Sequence, residues 1–415
     1  MSRQNINLVN VKYSYNNEIV SVGRLALKER KIFFEYSQKF LELGRELSPF
    51  KLPLKSGVIV CEDRIFDGIF GVFNDSLPDG WGRLLLDRKL INLGINPDSL
   101  TPLDRLCYVG QGGMGALFYE PEISDALPIQ MYKDFDLIAD ECHRFQDYDE
   151  NQFVDELLVM NGSSAGSRPK ILVTLINDKN DFEVTSNHLS VPKDDWIIKF
   201  SSSLDPKDIG PIEYAYHLMA VNAGLDVPEA RLFKSKKCAG YFGSKRFDRM
   251  NSKFFHMHTV SGLLHVDHRF PSLDYKTIMK ATFWLTKDER ECEKQFRHVV
   301  FNVLSHNRDD HAKNFSFLMD ENGVWTVSPA YDLTCSSGPA GEHCTMVMGE
   351  GKNPTLAHIL KLADVTSIKK QRALEVVEQV KDAILNWRNF ADEAKVSKTS
   401  KTRVQISIDR VLKYF

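Results

Sequence analysis

His306-Asn307-Arg308-Asp309-Asp310-His311-Ala312-Lys313-Asn314 is the stretch on which the reading of this chain turns. It lies between a run with helical periodicity, ECEKQFRHVVFNVLSH, and a strand-like run, NFSFLM, and it spaces residues as R-D-x-x-x-x-N. An Asp on such a loop can accept the proton of an attacking hydroxyl, and an Asn five residues on can turn back to hold Mg²⁺. Beyond the strand, the turn DENG and a returning strand, VWTVS, lead to Ser328-Pro329-Ala330-Tyr331-Asp332, where a second acid at a strand end can complete a metal site. Mg²⁺ takes hard oxygen ligands and keeps several waters, so Asn314, Asp332 and nucleotide phosphates suffice chemically.

The spacing is that of protein-kinase catalytic loops, and features upstream stand in the order a kinase requires. Asn161-Gly162-Ser163-Ser164-Ala165-Gly166-Ser167-Arg168-Pro169-Lys170 is a small-residue loop running into the strand ILVTL, and its backbone N–H groups could cradle phosphates. Read without context it is a turn, and it is neither a G-x-x-x-x-G-K-[ST] nor a G-x-G-x-x-G loop. Lys199 ends the apolar strand Trp196-Ile197-Ile198, where a cation must leave the core or meet an anion; in a kinase that anion is a nucleotide phosphate. Glu213, early on the next helix, is a candidate ion-pair partner for it, although carboxylates are common there for dipole reasons alone. Lys245-Arg246-Phe247-Asp248-Arg249 follows a strand and is placed to form a hinge that pairs with adenine through backbone groups, with Phe247 on the ring.

Composition narrows the class. With 415 residues, 43% hydrophobic and 26% charged, the chain has apolar material for two or three packed subdomains and shows no bias toward disorder. No run approaches the roughly 20 apolar residues that span a bilayer, and the polar start MSRQNINLVNVKYSYNN is unlike a signal peptide, so a cytoplasmic protein without a membrane is expected. Seven scattered cysteines without C-x-x-C argue against a disulfide framework or a zinc ribbon. A formal charge of −3 gives no global attraction to nucleic acid, although basic residues concentrate from Arg231 to Lys253; a solvated hairpin surface or an auxiliary contact with DNA or an acidic partner would account for them.

Short alternating segments between Asn7 and Ile59 (VKYSY, RKIFFEY, SGVIV) predict a small sheet, followed by helices at WGRLLLDRKLINLG and TPLDRLCYVG. ILVTLI, WIIKF, the helix PIEYAYHLMAVNAGL, ARLF and GYFGSKRF form an α+β unit, and beyond Tyr275 helical periodicity dominates, including one long helix from Ile368 to Ala394. The expected division is residues 1–125, 126–250 and 251–415: an N-terminal subdomain, the rest of a mixed lobe with phosphate loop, lysine and hinge, and an all-helical lobe with the catalytic loop. The fold class is therefore α+β, two-lobed and protein-kinase-like.

Taken together, DDHAKNFSFL, SPAYDLT, KRFDR, FDGIFGVFNDSLPDGWGRLLLDR and LTPLDRLCYVGQGGMGALFYEP resemble the HipA-like kinases, toxins of bacterial toxin–antitoxin pairs, over nearly the whole chain. The resemblance implies a serine/threonine protein kinase with Asp309 as proton acceptor and with ATP contacts from Ala165, Gly166, Ser167, Arg168, Pro169, Lys170, Lys199, Lys245, Arg246, Phe247, His311 and Tyr331. It implies Asn314 and Asp332 as the residues that hold Mg²⁺ and meet the nucleotide, and autophosphorylation at Ser163, or at its neighbour Ser164, as an off-switch. A phosphate adds roughly −1.5 to −2 charge, which fits badly beside ATP phosphates. The same resemblance implies a HipB-like helix-turn-helix antitoxin, contact with DNA only through that antitoxin, and a protein target, the family's known targets pointing to an aminoacyl-tRNA synthetase. A small-molecule kinase and a non-catalytic co-repressor are the rival readings.

Departures from the family pattern are Asp310 in place of Gly, whose extra charge would add a metal contact or face solvent, and Lys245 where some members carry Glu. His256, His258, His265 and His268 invite a zinc reading, against which stands ordinary structural use. Gly110, Gly112, Gly113 and Gly115 lack the Lys-Ser/Thr of a phosphate-binding loop and read as a structural turn.

Overall fold

The alternating runs at the amino end pair as expected. β1 (Leu8–Tyr15), β2 (Glu18–Lys28), β3 (Lys31–Tyr36), β4 (Val58–Val60) and β5 (Leu117–Glu120) make an antiparallel sheet in the order β4-β3-β2-β1-β5. The period-2 pattern sends Val9, Val11 and Tyr13 of β1 to one face, each at most 1% exposed. That face is covered by aromatic rings: Phe34 lies 5.1 Å from Phe73 and 4.8 Å from Tyr36, and Tyr13 packs edge-on against Phe40. Each such ring contributes roughly 1.5–3 kcal/mol by leaving water, so Phe73→Ala would open the centre of this core.

The computed structural model describes residues 6–16, 18–123, 134–147, 154–162, 166–176, 182–184, 195–250 and 253–415. They divide into two compact units, the first built from Met1–Asp205, Lys245–His265 and Met319–Gly323, the second from Pro206–Ser244, Val266–Leu318 and Val324–Phe415. The boundary expected near residue 125 lies outside the described residues.

In the first unit the two predicted helices form as α3 (Gly80–Asn92) and α4 (Pro102–Val109), and two short helices that the sequence reading did not predict, α1 (Gln38–Leu43) and α2 (Gly71–Asn74), precede them. Thr101 and Asp104 close a reciprocal capping box on α4, with Pro102 at its first position, so both orphan donors are satisfied locally. α3 ends before Gly94 (φ +72°), as the Gly stop predicted. α5 (Phe135–Asp147) and α6 (Val154–Asn161) follow, then β6 (Lys170–Leu175), β7 (Phe182–Val184) and β8 (Asp195–Lys199), with β6 antiparallel to both of the other strands.

The second unit is built on α7 (Ile209–Asn222) and the helices Tyr275–Thr286, Glu289–Leu304 and Lys370–Leu385. Phe296, Val299, Val300, Phe301, Val303 and Leu304 are all unexposed, giving Glu289–Leu304 the central place. The expected helix from Ile368 to Ala394 is instead two, Lys370–Leu385 and Trp387–Glu393, because Asn386 turns its amide back onto the Asp382 carbonyl (2.9 Å) and ends the first. Strands also enter this unit: the hairpin Ala230–Phe233/Tyr241–Lys245 pairs here through residues 230–233 and 241–244, and Leu273–Asp274 runs parallel to Thr345–Met346. Ser316–Met319 and Trp325–Val327 form the predicted hairpin, closed at Gly323 (φ +80°). Among the described residues no helix is long and apolar enough to cross a membrane, and all seven cysteines are free.

Candidate active site

In the first unit, the described end of the small-residue loop is held by the N-terminus of α3. Asp79 Oδ1 accepts the Gly166 N–H at 2.5 Å, and the Trp81 N–H donates to the Gly166 carbonyl at 2.9 Å. Asp79 sits at the N-cap position of α3 and caps nothing in its own helix, because its carboxylate is spent on the loop. Gly166 has φ +109°, and a Cβ there would stand 2.4 Å from Lys170 Nζ; only glycine lets that ammonium lie against the loop backbone. Ser167 is exposed, Pro169 is buried, and Arg168 is committed to Asp205 through a 3.0 Å ion pair and two 3.1 Å bonds from Nε. Burial works against the Asp205 carboxylate, but the Ser202 N–H and Arg168 hold its pKa below the usual range. Ser163, Ser164 and Ala165 lie outside the described residues.

Lys170 and Lys199 are register partners across β6 and β8, so their side chains leave the sheet on the same side. Lys170 is 6% exposed and Lys199 half-buried. Two ammonium groups so placed make a cationic position suited to a polyphosphate. Glu213 is in α7 of the second unit and is buried.

The Lys245–Phe247 segment shows what surrounds the expected hinge. The Arg246 guanidinium, fully buried, grips Asp248 through Nε (2.9 Å) and Nη2 (2.6 Å), and its backbone N–H donates to the Asp195 carbonyl at 2.8 Å. Arg249 reaches Asp195 at 3.3 Å and lies over the Phe254 ring. Burial and the nearby Arg246 bring the Arg249 pKa down to about 10. Asp248 in turn accepts the Gly115 N–H at 2.7 Å, and Arg246 and Arg249 approach the Gly113 carbonyl, so the Gly-rich loop 110–115 is the structural turn the sequence suggested. The basic run splits accordingly. Lys234, Lys236 and Lys237 are exposed on the hairpin, while Arg246 and Arg249 belong to a buried network.

The second unit carries the loop 306–314, read from the sequence as catalytic. Asp309 stands about half exposed, its side-chain exposure being 54%, on the wall of a cavity of about 460 Å³ shared with His268, Arg269, His311, Ser336 and Cys344. His311 Nε2 is 4.0 Å from Asp309 Oδ1 and its ring is 5.5 Å from that of His268. Asn314 donates its amide to the Asp309 carbonyl at 2.7 Å, which closes the loop and reserves the amide oxygen as the atom a hard cation could use. Ser316 Oγ and Tyr331 Oη are 2.6 Å apart and Tyr331 Oη donates to the Lys313 carbonyl, so Tyr331 ties the Asp332 segment to the loop through its hydroxyl. Asp332 adopts φ +56°, a left-handed turn that Asp tolerates better than most residues. Asn314 and Asp332 are thus hard oxygen donors of the type Mg²⁺ requires. The Cys344 thiol is pushed up to about 12, first by burial and then by Asp310 and Asp309, and stays protonated beside Asp309.

Asp310 corrects the expectation of a metal contact or solvent exposure. It is fully buried, and its carboxylate accepts from Tyr275 Oη (2.6 Å), pairs with His343 Nδ1 (2.7 Å) and meets the Thr345 N–H (3.3 Å). Its carbonyl takes the Thr345 hydroxyl at 2.5 Å. The residue beside the exposed acid is therefore the internal post that fixes the loop.

Two family models match this chain, the HipA N-terminal domain over residues 15–120 and the HipA-like C-terminal domain over residues 162–388. The chain belongs to the HipA family. A chain of the solved complex of the Shewanella oneidensis MR-1 toxin–antitoxin system HipA, HipB and its operator DNA superposes with a TM-score of 0.69, covering 98% of both chains at 15% identity, which establishes the HipA-type mixed α and β fold. The Sinorhizobium fredii protein designated "Putative kinase Y4dM" is 23% identical over 229 residues, 52% of this chain and 56% of that protein, so the aligned stretch spans about half the length of this relative.

In this HipA-family chain the histidine cluster does not converge on one point. His256 Nε2 bonds the Leu47 carbonyl, His258 bridges Asp75 (2.6 Å) and Ser48 (3.0 Å), His265 joins Asp63 and the Gly71 N–H, and His268 belongs to the other unit. Among the described residues no group of His, Cys, Asp or Glu is arranged to hold a metal ion. The cluster instead locks α2 and the following Asp75 to the segment 256–265, with Thr259 also bonding both Asp75 oxygens. Asp79 is the residue whose part in the site sequence reasoning missed, and Asp310 the one it assigned to the wrong surroundings. Asp79 could have been suspected as a helix-opening acid followed by Gly80, which approaches the Gly166 carbonyl too closely for any Cβ.

Proposed function

We propose that this chain is the toxin of a type II toxin–antitoxin module and acts as an ATP-dependent serine/threonine protein kinase, with Asp309 as catalytic base. The observation that carries this reading is the closed loop in which an exposed acid, Asp309, faces a cavity while Asn314 bonds back to its carbonyl. Asp309 would take the proton of a Ser or Thr hydroxyl as its oxygen bonds to the γ-phosphorus and the bond to the ADP leaving group breaks. Asn314 and Asp332 would hold Mg²⁺, whose role when bound is to neutralise phosphate charge. Lys170, Lys199 and the Gly166–Pro169 backbone would meet the phosphates, Lys245 to Phe247 the adenine side, and His311 and Tyr331 the nucleotide near the loop.

The likeness to a chain solved with HipB and operator DNA supports a HipB-like helix-turn-helix antitoxin as partner, with DNA reached only through it. An aminoacyl-tRNA synthetase as target, Ser163 or Ser164 as the autophosphorylated off-switch, and a cytoplasmic location complete the proposal.

Purified protein incubated with γ-labelled ATP and Mg²⁺, alone and with cell lysate, tests it by mass spectrometry of every labelled peptide against an Asp309→Ala control. Label on the Ser163/Ser164 peptide and on one lysate protein is expected. A fully active Asp309→Ala chain would overturn the assignment.

A further inference from the structure

A second concavity lies in the second unit and is lined by Arg308, the residue that precedes Asp309. Arg308, Lys352, Arg410 and Lys413 contribute four cations to a cavity of about 300 Å³ that no carboxylate lines. His306 completes its wall, 7% exposed, and its Nδ1 is buried without a hydrogen-bond partner. Arg308 is held in place by carbonyls and not by an acid: Nη1 donates to Gly341 and Nη2 to Lys352 (2.9 Å), while its buried Nε has no partner.

These features belong together physically. Carbonyl bonds fix a guanidinium without neutralising it, and no carboxylate is bonded to Arg308 directly. Burial and, after it, Arg308 push the His306 pKa down to about 4, so the ring is neutral at pH 7 and its buried nitrogen is a neutral hydrogen-bonding group facing an excess of positive charge. Asp310 and, after it, Glu342 act on Arg308 electrostatically, but neither lines the cavity. Orphan buried polar atoms are costly, and a site of this kind is completed by an oxyanion that accepts from several donors at once. The volume stands at the small end of ligand pockets, about 300 to 1,000 Å³, and has room for a phosphate or pyrophosphate group.

We infer that this cavity is a binding site for a small phosphate-bearing anion, separate from the residues assigned to ATP. The ligand's oxygens would take Arg308 Nε, the neutral N–H tautomer of His306, and the exposed cations Lys352, Arg410 and Lys413. Because Arg308 adjoins Asp309 in the chain, one residue of this site is a single peptide bond from the proposed catalytic base.

The test is calorimetric titration of the full chain with inorganic pyrophosphate in EDTA, at ionic strength held constant with sodium chloride. Arg410 and Lys413 are exposed, so the Arg410→Glu/Lys413→Glu chain should keep its unfolding midpoint. Saturable binding by the wild type, a tenfold or greater loss of one binding component in that double variant, and retention of that component in Lys199→Met are expected. Absence of saturable binding in the wild type, or equal binding in the double variant, would overturn the inference. The readout does not depend on phosphoryl transfer, so failure of the kinase reading and failure of this site are distinguishable.

Discussion

Lys170 and Lys199 stand opposite each other in the β6–β8 ladder, two cations on one side of adjacent strands. Two cations on one side of the sheet attract a polyanion, and a bound one would interact favourably with both. Mg²⁺-ATP at 100 times its Kd should therefore stabilise the wild-type chain by about 2.7 kcal/mol. Lys199→Met should lose most of that stabilisation. Thermal unfolding with and without nucleotide measures both.

The adjacent acids Asp309 and Asp310 should give opposite phenotypes. Asp309 is half exposed at the cavity, so Asp309→Ala should lower phosphoryl transfer by about 10²–10⁴-fold and shift stability by no more than about 0.5 kcal/mol. A labelled-phosphate assay and a denaturant melt on the same preparation separate the two effects.

Asp310→Ala removes the acceptor shared by Tyr275, His343 and Thr345 in a place without solvent. Stranded buried donors cost about 1–3 kcal/mol each, and a loss of about 3–5 kcal/mol is expected. Urea unfolding should show a lower midpoint at unchanged slope; a midpoint within error of the wild type would contradict the role given to this carboxylate.

Asp79→Ala frees the Gly166 N–H from its anchor on α3. Amide exchange at Gly166 and Ser167 should accelerate, and the KM for ATP should rise about tenfold, as expected when roughly 1.4 kcal/mol of positioning is lost. Unaltered exchange at these two amides would show that the helix end does not hold the loop.

His298 provides a pH signature. Burial, opposed by Asp310, lowers its pKa from 6.5 to about 4, so the unfolded chain takes up a proton before the folded one does. Its contribution is complete above pH 6.5 and is lost as pH falls from about 6.5 to about 4, to a total of about 3 kcal/mol. The free energy of unfolding plotted over that range should be flatter in His298→Asn by nearly one proton.

Much of this molecule could be read from local signals. Thr101-Pro102 followed by Asp104 marked a helix start, Gly94 a helix stop, and DENG a hairpin, because caps and turns are decided by a few adjacent residues. Asn386 shows the limit of periodicity: the apolar stripe continues past it, while its amide ends the helix. The hinge string was legible as a motif, but the commitment of the Arg246 side chain to Asp248 was not, since a charged residue within a strand-flanking segment gives no sign of whether it faces solvent.

By itself, the sequence determined the family, the order of the elements and the placing of Asp309 and Asn314 on a loop between helix and strand, because periodicity, capping and motif spacing are all encoded over short distances. Only the tertiary structure decided that Asp309 is open and Asp310 sealed, that Asp79 holds Gly166 across 87 residues of chain, and that His256, His258 and His265 bond to Leu47, Asp75, Ser48, Asp63 and Gly71. Those distinctions rest on burial and on partners remote in sequence, and no local pattern specifies which distant donor will meet a given carboxylate.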